Sequence, residues 1–164
     1  MIKAGDYQKL ARVFTSATDP QEIFEAVSSV ARERIGFGLL TMLMLTTDGD
    51  EVQRLFTTDS VNYPVSGRER LGATAWGQHV LVERKPYLGQ DREAVAWAFP
   101  GDFDLIVSLG LGATMNVPIV AIGKTLGSLN ILDREGRYSQ RDLAAAATLA
   151  PYLAVPFMKL AGLF

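Results

Sequence analysis

The sequence predicts an α+β domain whose core is an antiparallel sheet of about five to six strands. Helical spacing of apolar residues occurs at both ends of the chain and in short stretches near its middle, whereas strand-like runs come in two turn-linked pairs. Strands joined by a short turn pair antiparallel, since a parallel pair needs a long crossover connection. The 164 residues, 48% of them hydrophobic, are enough for one domain with a sizeable core.

Two helices are predicted before the first strand. Residues 2–15 have apolar side chains at nearly helical spacing. The second helix covers 20–35, because Asp19 is a good N-cap and Glu22 stands at the third helical position of a capping box. Gly36 is the natural residue to end it.

The first predicted hairpin joins residues 37–46 and 51–58 through the turn Asp48-Gly49. The first run is apolar on both faces, which is typical of a central strand covered on both sides. Residues 59–75 fit no period and are rich in Gly, Ser and Pro. A loop of this length is more typical of a functional segment than of a simple connection.

Short elements are predicted between the two hairpins. Residues 76–83, 91–99 and 103–109 each fit a short helix, and 86–88 fit a short extended piece. Together with the preceding loop, these elements form a mid-chain insert over residues 59–112.

The second hairpin consists of residues 113–120 and 125–132, which are joined by a turn at Gly123. Pro118 indicates a bulge or a sheet edge, because proline cannot donate a ladder hydrogen bond. Gly127 indicates a close approach of another backbone segment.

A long C-terminal helix is predicted over 139–164, starting at the capping residue Ser139 and kinked near Pro151 and Pro156. Its apolar residues recur every three or four positions, a spacing that suits a helix–helix contact. We therefore expect a homodimer through the terminal helices, with Phe157 and Leu160 in the interface. The apolar positions are Leu143, Ala146, Ala150, Leu153, Phe157, Leu160 and Phe164.

Composition excludes several classes of function. The formal net charge of −2 gives no basic excess, so nucleic-acid binding is not expected. The absence of cysteine removes disulfides, thiolate metal sites and thiol nucleophiles, and the one histidine, His79, cannot form a multi-histidine metal site. No signal peptide is visible, and the apolar C-terminal stretch is interrupted by prolines. We expect a cytoplasmic protein with no membrane anchor.

The segments 115–119 and 123–132, followed by Tyr138, Asp142 and an alanine-rich helix, resemble the closing hairpin and last helix of GAF domains. Residues 63–68 resemble a loop of stand-alone bacterial GAF proteins. The resemblance implies a PAS-related fold in which N- and C-terminal helices cover one face of the sheet and the insert covers a pocket on the other. It also implies one domain comprising residues 1–164, divided into terminal helices 1–35 and 139–164 and the pocket-covering insert 59–112.

The GAF resemblance further implies a sensor of small molecules that forms dimers, with a ligand whose identity the sequence leaves open. Bilin-binding members attach their chromophore through cysteine, and free-methionine sulfoxide reductases use cysteine for chemistry. A covalently attached bilin is therefore excluded here. Cyclic-nucleotide-binding members have an Asn-Lys pair. This chain has Asn130 followed by Ile131 and therefore lacks the lysine of that motif.

Candidate ligand-binding residues are polar or aromatic side chains of the insert and of the strand that follows it. An arginine pair can clasp a carboxylate or phosphate, aromatic rings can line a pocket, and polar groups on one strand face can form its floor. The candidates are Tyr63, Arg68, Arg70, Trp76, His79, Trp97, Phe103, Thr114 and Asn116.

Three functions remain open from the sequence. The first is a non-enzymatic sensory or signalling domain that binds a small ligand, dimerises and contacts a partner signalling protein. The second is an enzyme that acts on a small polar substrate and uses His79 with Asp102 or Asp104. The third is a protein-interaction subunit with no ligand. No metal is expected in any of them.

Overall fold

A computed structural model describes all residues, 1–164, and contains one antiparallel sheet of six strands in the order β3-β2-β1-β6-β5-β4. Both predicted hairpins are present, and strands β1 and β6 pair with each other at the centre of the sheet. The predicted α+β fold is confirmed. The strands are β1 (Leu39–Leu45), β2 (Val52–Thr57), β3 (Arg68–Glu69), β4 (Tyr87–Gly89), β5 (Ala113–Ala121) and β6 (Lys124–Asp133).

The helices lie at the two ends of the chain and in the insert. Helix α2 begins as the sequence predicts, because the Asp19 carboxylate accepts from the Gln21 amide and Glu22 completes the capping box. The helices are α1 (Ala4–Ser16), α2 (Pro20–Arg34), α3 (Ala75–Gly77, continued by a π-helical turn Gln78–Val82), α4 (Arg92–Ala98), α5 (Phe103–Ser108), α6 (Gln140–Leu149) and α7 (Ala154–Leu160).

The terminal helices cover one face of the sheet. Phe24 of α2 and Phe157 of α7 meet edge to face with ring centroids 5.8 Å apart, and both are fully buried among sheet residues such as Leu129. The Arg34 Nε–H donates to the Asp6 carboxylate at 2.8 Å and links α2 to α1. This face holds the larger of the two hydrophobic cores.

The insert covers the opposite face and packs a second, smaller core against it. Trp76, fully buried, and Phe99 lie with ring centroids 5.4 Å apart. They belong to the same core as the sheet residues Leu39, Leu43 and Leu132. The insert and the sheet therefore enclose the space in which the candidate site lies.

A bulge in β2 turns one charged side chain toward the insert. Residue Leu43 pairs with Arg54, but its neighbour Met42 pairs with Phe56, so Leu55 is an extra residue in β2. Such a bulge changes which face the following side chains occupy. As a result Phe56 joins the helix-side core, while Arg54 is buried on the insert side.

The structure differs from the sequence prediction at three places. The loop 59–75 contains the two-residue strand β3, which escapes a periodicity analysis because it is so short. The terminal helix is divided by a 3₁₀ turn, Ala150–Leu153, at the predicted proline kink. The third difference is that most of the proposed dimer stripe is internal. Leu143, Ala146, Ala150, Leu153 and Phe157 are all buried within the chain's own core.

The C-terminal segment Gln140–Leu160 is long and apolar enough to span a membrane by length and composition. Its apolar residues, however, pack on the sheet and on α2, as Leu153 and Phe157 show by being fully buried. The segment is therefore a core helix.

Candidate ligand-binding site

A small cavity lies between the sheet and the insert. Its volume is about 30 Å³, enough for about two water molecules. Its walls combine apolar side chains with charged and hydrogen-bonding ones. The lining residues are Leu39, Thr41, Leu43, Arg54, Tyr63, Glu69, Phe99, Asp102, Ile106, Asn130 and Leu132.

Arg54 supplies the only positive charge in this lining, and it is 5% exposed. Its Nη2–H donates to the Glu69 carboxylate at 2.5 Å, and its Nη1–H donates to the carbonyl of Pro64 at 3.0 Å. The Nε–H has no partner. A buried guanidinium with an unused donor is costly, so this atom points to a ligand or to water in the cavity.

Tyr63 lies against the same guanidinium, with Arg54 Cζ 5.0 Å from the centre of its ring. The phenol hydroxyl is buried and has no hydrogen-bond partner. Burial, with a smaller effect of the Asp102 charge, raises the pKa of Tyr63 well above its usual value. The side chain therefore remains a neutral hydrogen-bond donor at physiological pH.

Two carboxyl groups meet at the edge of the cavity. Burial, followed by the charge of Asp102, raises the pKa of Glu69, while the Arg54 guanidinium opposes the rise. Glu69 therefore holds its proton to a higher pH than an exposed glutamate does.

The floor of the cavity is a hydrogen-bonded network across three strands. Asn130 is near Thr41, with Nδ2 3.5 Å from the threonine hydroxyl, and accepts from Asn116 Nδ2 at 2.9 Å. Asn116 in turn contacts the hydroxyl of Thr114 at 3.2 Å and accepts from Trp76 Nε1 at 3.1 Å. All five side chains are buried, so the network fixes the polar floor and ties the insert to the sheet.

A groove on the surface adjoins the cavity and has a volume of about 300 Å³. Glu69, Phe99 and Asp102 line both spaces and separate them. The groove is also lined by Arg70, Leu71, Thr74, Pro100 and Gly101. A ligand larger than two waters therefore has room beyond these three side chains.

The structure places the nine predicted binding residues in different locations. Tyr63 lines the cavity, whereas Trp76, Thr114 and Asn116 lie behind its floor and support it through the network described above.

The predicted arginine pair lies outside the cavity. The Arg68 side chain is 58% exposed and pairs with Glu51 at 3.5 Å. Arg70 is 79% exposed and pairs with Asp50 at 3.3 Å, at the wall of the surface groove. Both arginines are therefore held by acidic residues of the neighbouring hairpin.

His79, Tyr87 and Trp97 form a separate aromatic cluster on the outside of the insert. The His79 ring lies edge-on to both other rings, and its Nε2 is 3.2 Å from the carbonyl of Pro86. Trp97 is 45% exposed.

The remaining candidates are divided between the insert core and the surface. Phe103 is half-buried in the packing of the insert. Asp102 lines the cavity and the groove, neither of which His79 lines, and Asp104 is exposed. The histidine–aspartate arrangement required by the enzyme hypothesis is therefore not assembled. No group of three or more potential metal ligands is present either.

Sequence reasoning missed Arg54, Glu69, Thr41 and Asn130 as members of the site. One indication was available: Arg54 lies between Val52 and Phe56 at strand spacing, where an apolar residue would be expected on a buried face.

A family model described as "GAF domain" matches residues 17–155 of the chain. This chain belongs to the GAF family. The match extends from the start of α2 through the sheet and insert into the C-terminal helix. GAF domains are sensory and signalling domains and are usually soluble.

Solved structures with the same fold have low sequence identity to this GAF domain. The GAF domain of a phosphoenolpyruvate-protein phosphotransferase from Coxiella burnetii is 17% identical with a TM-score of 0.74, covering 98% of this chain and 96% of that one. A free methionine-R-sulfoxide reductase from Neisseria meningitidis, solved with its substrate, is 16% identical with a TM-score of 0.72, covering 95% of this chain and 87% of that one.

The chromophore-binding domain of a bacteriophytochrome from R. palustris is 13% identical with a TM-score of 0.69. The match covers 96% of this chain and 61% of that one. These similarities establish the fold. No curated protein sequence matches the chain significantly.

Proposed function

We propose that this GAF domain is a non-enzymatic sensor that binds a small molecule in the cavity between sheet and insert. The observation that supports the proposal most is the pair of buried polar atoms without partners, Arg54 Nε and the Tyr63 hydroxyl, on side chains that line the cavity. Buried donors are almost always hydrogen-bonded in native proteins. A ligand that accepts from both would remove that cost and favour the bound state.

The proposal also includes a cytoplasmic location and a homodimer formed through the terminal helices. Since most of the apolar stripe is internal, the surface available to a second copy is smaller than the sequence suggests. It consists of exposed apolar residues of α7 and of the segment that follows it, namely Val155, Leu160, Leu163 and Phe164. A ligand that orders the insert would also change the sheet beneath the terminal helices. A partner signalling protein that contacts those helices would then respond to ligand binding.

A ligand-free interaction subunit is the second candidate, and the small cavity volume favours it. Two waters would fill about 30 Å³ and could satisfy both unpartnered donors. In that case the insert would serve only to complete the core.

Native mass spectrometry of the chain purified from its own host distinguishes the two candidates. A sensor is expected to retain a ligand, seen as a mass increment that disappears on denaturation. Incubation of the purified chain with a small-molecule extract should restore the increment. A chain that stays at its sequence mass after both treatments would contradict the sensor proposal.

A further inference from the structure

Carboxyl groups outnumber cations in the lining of the cavity. Arg54 is the only cation in the lining, against the carboxyls of Glu69 and Asp102, and the Arg54 guanidinium is engaged with Glu69. The Asp102 carboxylate makes no capping hydrogen bond to helix α5, although Asp102 directly precedes that helix. The nearby cation Arg70 is paired with Asp50 instead. The edge of the cavity therefore offers a site for one positive charge.

The interior offers the opposite kind of group. Arg54 Nε and the Tyr63 hydroxyl are donors on side chains at least nine-tenths buried, and neither has an acceptor. The other uncharged polar side chains of the lining, Thr41 and Asn130, belong to the network of the floor. An oxygen atom with free lone pairs is the chemical complement of these two donors.

We propose that the site binds a small primary amine that also carries a hydroxyl or carbonyl oxygen. The ammonium group lies between Glu69 and Asp102, and the oxygen accepts from Tyr63 and Arg54. This inference rests on the proposed sensor function and specifies the class of its ligand.

Charge and shape both support an amine. An ammonium group has three donors, so it can satisfy two carboxylates at once, and it neutralises the excess negative charge. An anion would meet two carboxyls at the edge of the cavity, which disfavours it. The apolar side chains of Phe99 and Ile106 accept a short carbon chain, and the adjoining groove accommodates any larger part of the ligand.

Amine binding should depend on pH, because an ammonium group pairs with the ionised form of Glu69 and not with its protonated form. The groups facing Glu69 are Arg54 from β2, Tyr63 from the loop, and Asp102 from the insert. Burial raises the pKa of both Glu69 and Tyr63, and the tyrosine stays protonated throughout. Amine affinity is therefore expected to rise as the pH rises through the raised pKa of Glu69, because the ammonium pairs with the carboxylate form.

Three probes of similar size test the charge preference by isothermal calorimetry or by NMR titration. Ethanolamine is a cation, ethylene glycol is neutral, and glycolate is an anion. We expect binding in the order ethanolamine, ethylene glycol, glycolate. Asp102→Asn should weaken ethanolamine about 10- to 100-fold, the range for one charged hydrogen bond. Asp104→Asn is the matched control, since that side chain is exposed, and should bind as the unmodified chain does.

The oxygen preference is tested with ethylamine, which lacks the hydroxyl of ethanolamine. The unmodified chain should prefer ethanolamine by about 2- to 10-fold for each donor engaged. Tyr63→Phe should reduce this preference and leave ethylamine binding unchanged. A folding defect would weaken both amines equally and is recognised in this way.

Two results overturn the inference in different ways. If glycolate or ethylene glycol binds as well as ethanolamine, or if the ligand retained from the host contains no amine, the site is a sensor site but the ligand class is wrong. If no probe binds and no small molecule from the extract is retained, the sensor function itself fails.

Discussion

Arg54 shows how one side chain links stability to the proposed site. The guanidinium is buried by a bulge in β2 and balanced mainly by Glu69 across a short strand pair. Its removal leaves a carboxylate that is 25% exposed without its cation. The Arg54–Glu69 ion pair therefore supports stability only while both members are present, because either charge alone would be left without its counter-charge.

Arg54→Met is expected to lower the free energy of unfolding by about 1–3 kcal/mol near neutral pH, because Glu69 loses its partner. The loss should shrink in acid, where Glu69 becomes protonated and no longer needs a cation. Urea denaturation at both pH values measures it, and Arg54→Met combined with Glu69→Leu should recover most of the loss. An equal loss at both pH values would contradict the charge argument.

The carboxyl groups of Glu69 and Asp102 also make the stability of the fold depend on pH. Because the folded-state pKa of Glu69 is raised, its contribution to stability is present below the unfolded pKa and is lost as pH rises through the folded pKa. Asp102→Asn removes the charge that helps raise this pKa. We expect a gain in stability of about 1 kcal/mol or less near neutral pH and a smaller gain in acid.

Thermal unfolding at several pH values tests whether Asp102 affects stability through the Glu69 carboxyl. Asp104→Asn serves as the control, since its carboxylate is exposed and lies outside the cavity. A stabilisation that is the same across the acidic and neutral range would show that Asp102 does not act through Glu69.

At the level of single residues, the sequence indicates only part of the site. Tyr63 is recognisable because it lies in an aperiodic loop rich in Gly, Ser and Pro. The strand spacing of Arg54 gives an indication of its burial, but its pairing with Glu69 is not recognisable, because that pairing depends on a bulge and on a two-residue strand that no periodicity reveals. Arg68 and Arg70 looked suitable from their flanking glycines, but the hairpin supplies acidic partners that hold them outside.

The elements themselves were more predictable than the site. Capping residues and proline positions define α2 and the start of α6, and turn residues define both hairpins. What periodicity does not decide is which apolar stripe meets the chain's own sheet and which meets a partner. Phe157 and Leu160 belong to the same stripe, yet Phe157 is fully buried and Leu160 is 47% exposed.

Phe157→Ala is expected to cost about 3–5 kcal/mol of stability, because it leaves a cavity beside Phe24 in the helix-side core. Leu160→Ala, in the same helix, should change stability by less than about 1 kcal/mol. Chemical denaturation of the two variants measures the contrast. Equal costs would show that the end of α7 is packed differently from the structure described above.

Gly127 is required by the pairing of β6 with β1. A Cβ atom at this position would stand 1.9 Å from the carbonyl oxygen of Leu43 and 2.8 Å from the Phe157 ring. Gly127→Ala should therefore cost about 3 kcal/mol or more, since backbone and ring cannot both move away. Gly5→Ala is the control, because nothing lies within 4 Å and alanine favours the helix. Amide hydrogen exchange in β6 measures the loss of stability. A Gly127→Ala variant as stable as the unmodified chain would contradict the pairing of β6 with β1.

For the whole molecule, a homodimer would rest on the exposed end of α7. Leu160→Asp is expected to prevent association while changing stability by only about 0.5 kcal/mol, because the side chain is half exposed in the single chain. Analytical ultracentrifugation measures the change. Sedimentation of the unmodified chain as a monomer at micromolar concentration would remove the dimer from the proposal.

The whole proposal depends on the cavity between sheet and insert being the sensory site. An amide NMR spectrum of the labelled chain, recorded with and without the small-molecule extract of its host, shows whether a ligand binds there. We expect the amide signals of Tyr63, Glu69 and Asp102 to shift together, and more extract to be needed for the same shifts in Asp102→Asn but not in Asp104→Asn. An unchanged spectrum, or shifts confined to α1 and α7, would show that the cavity is not a sensory site.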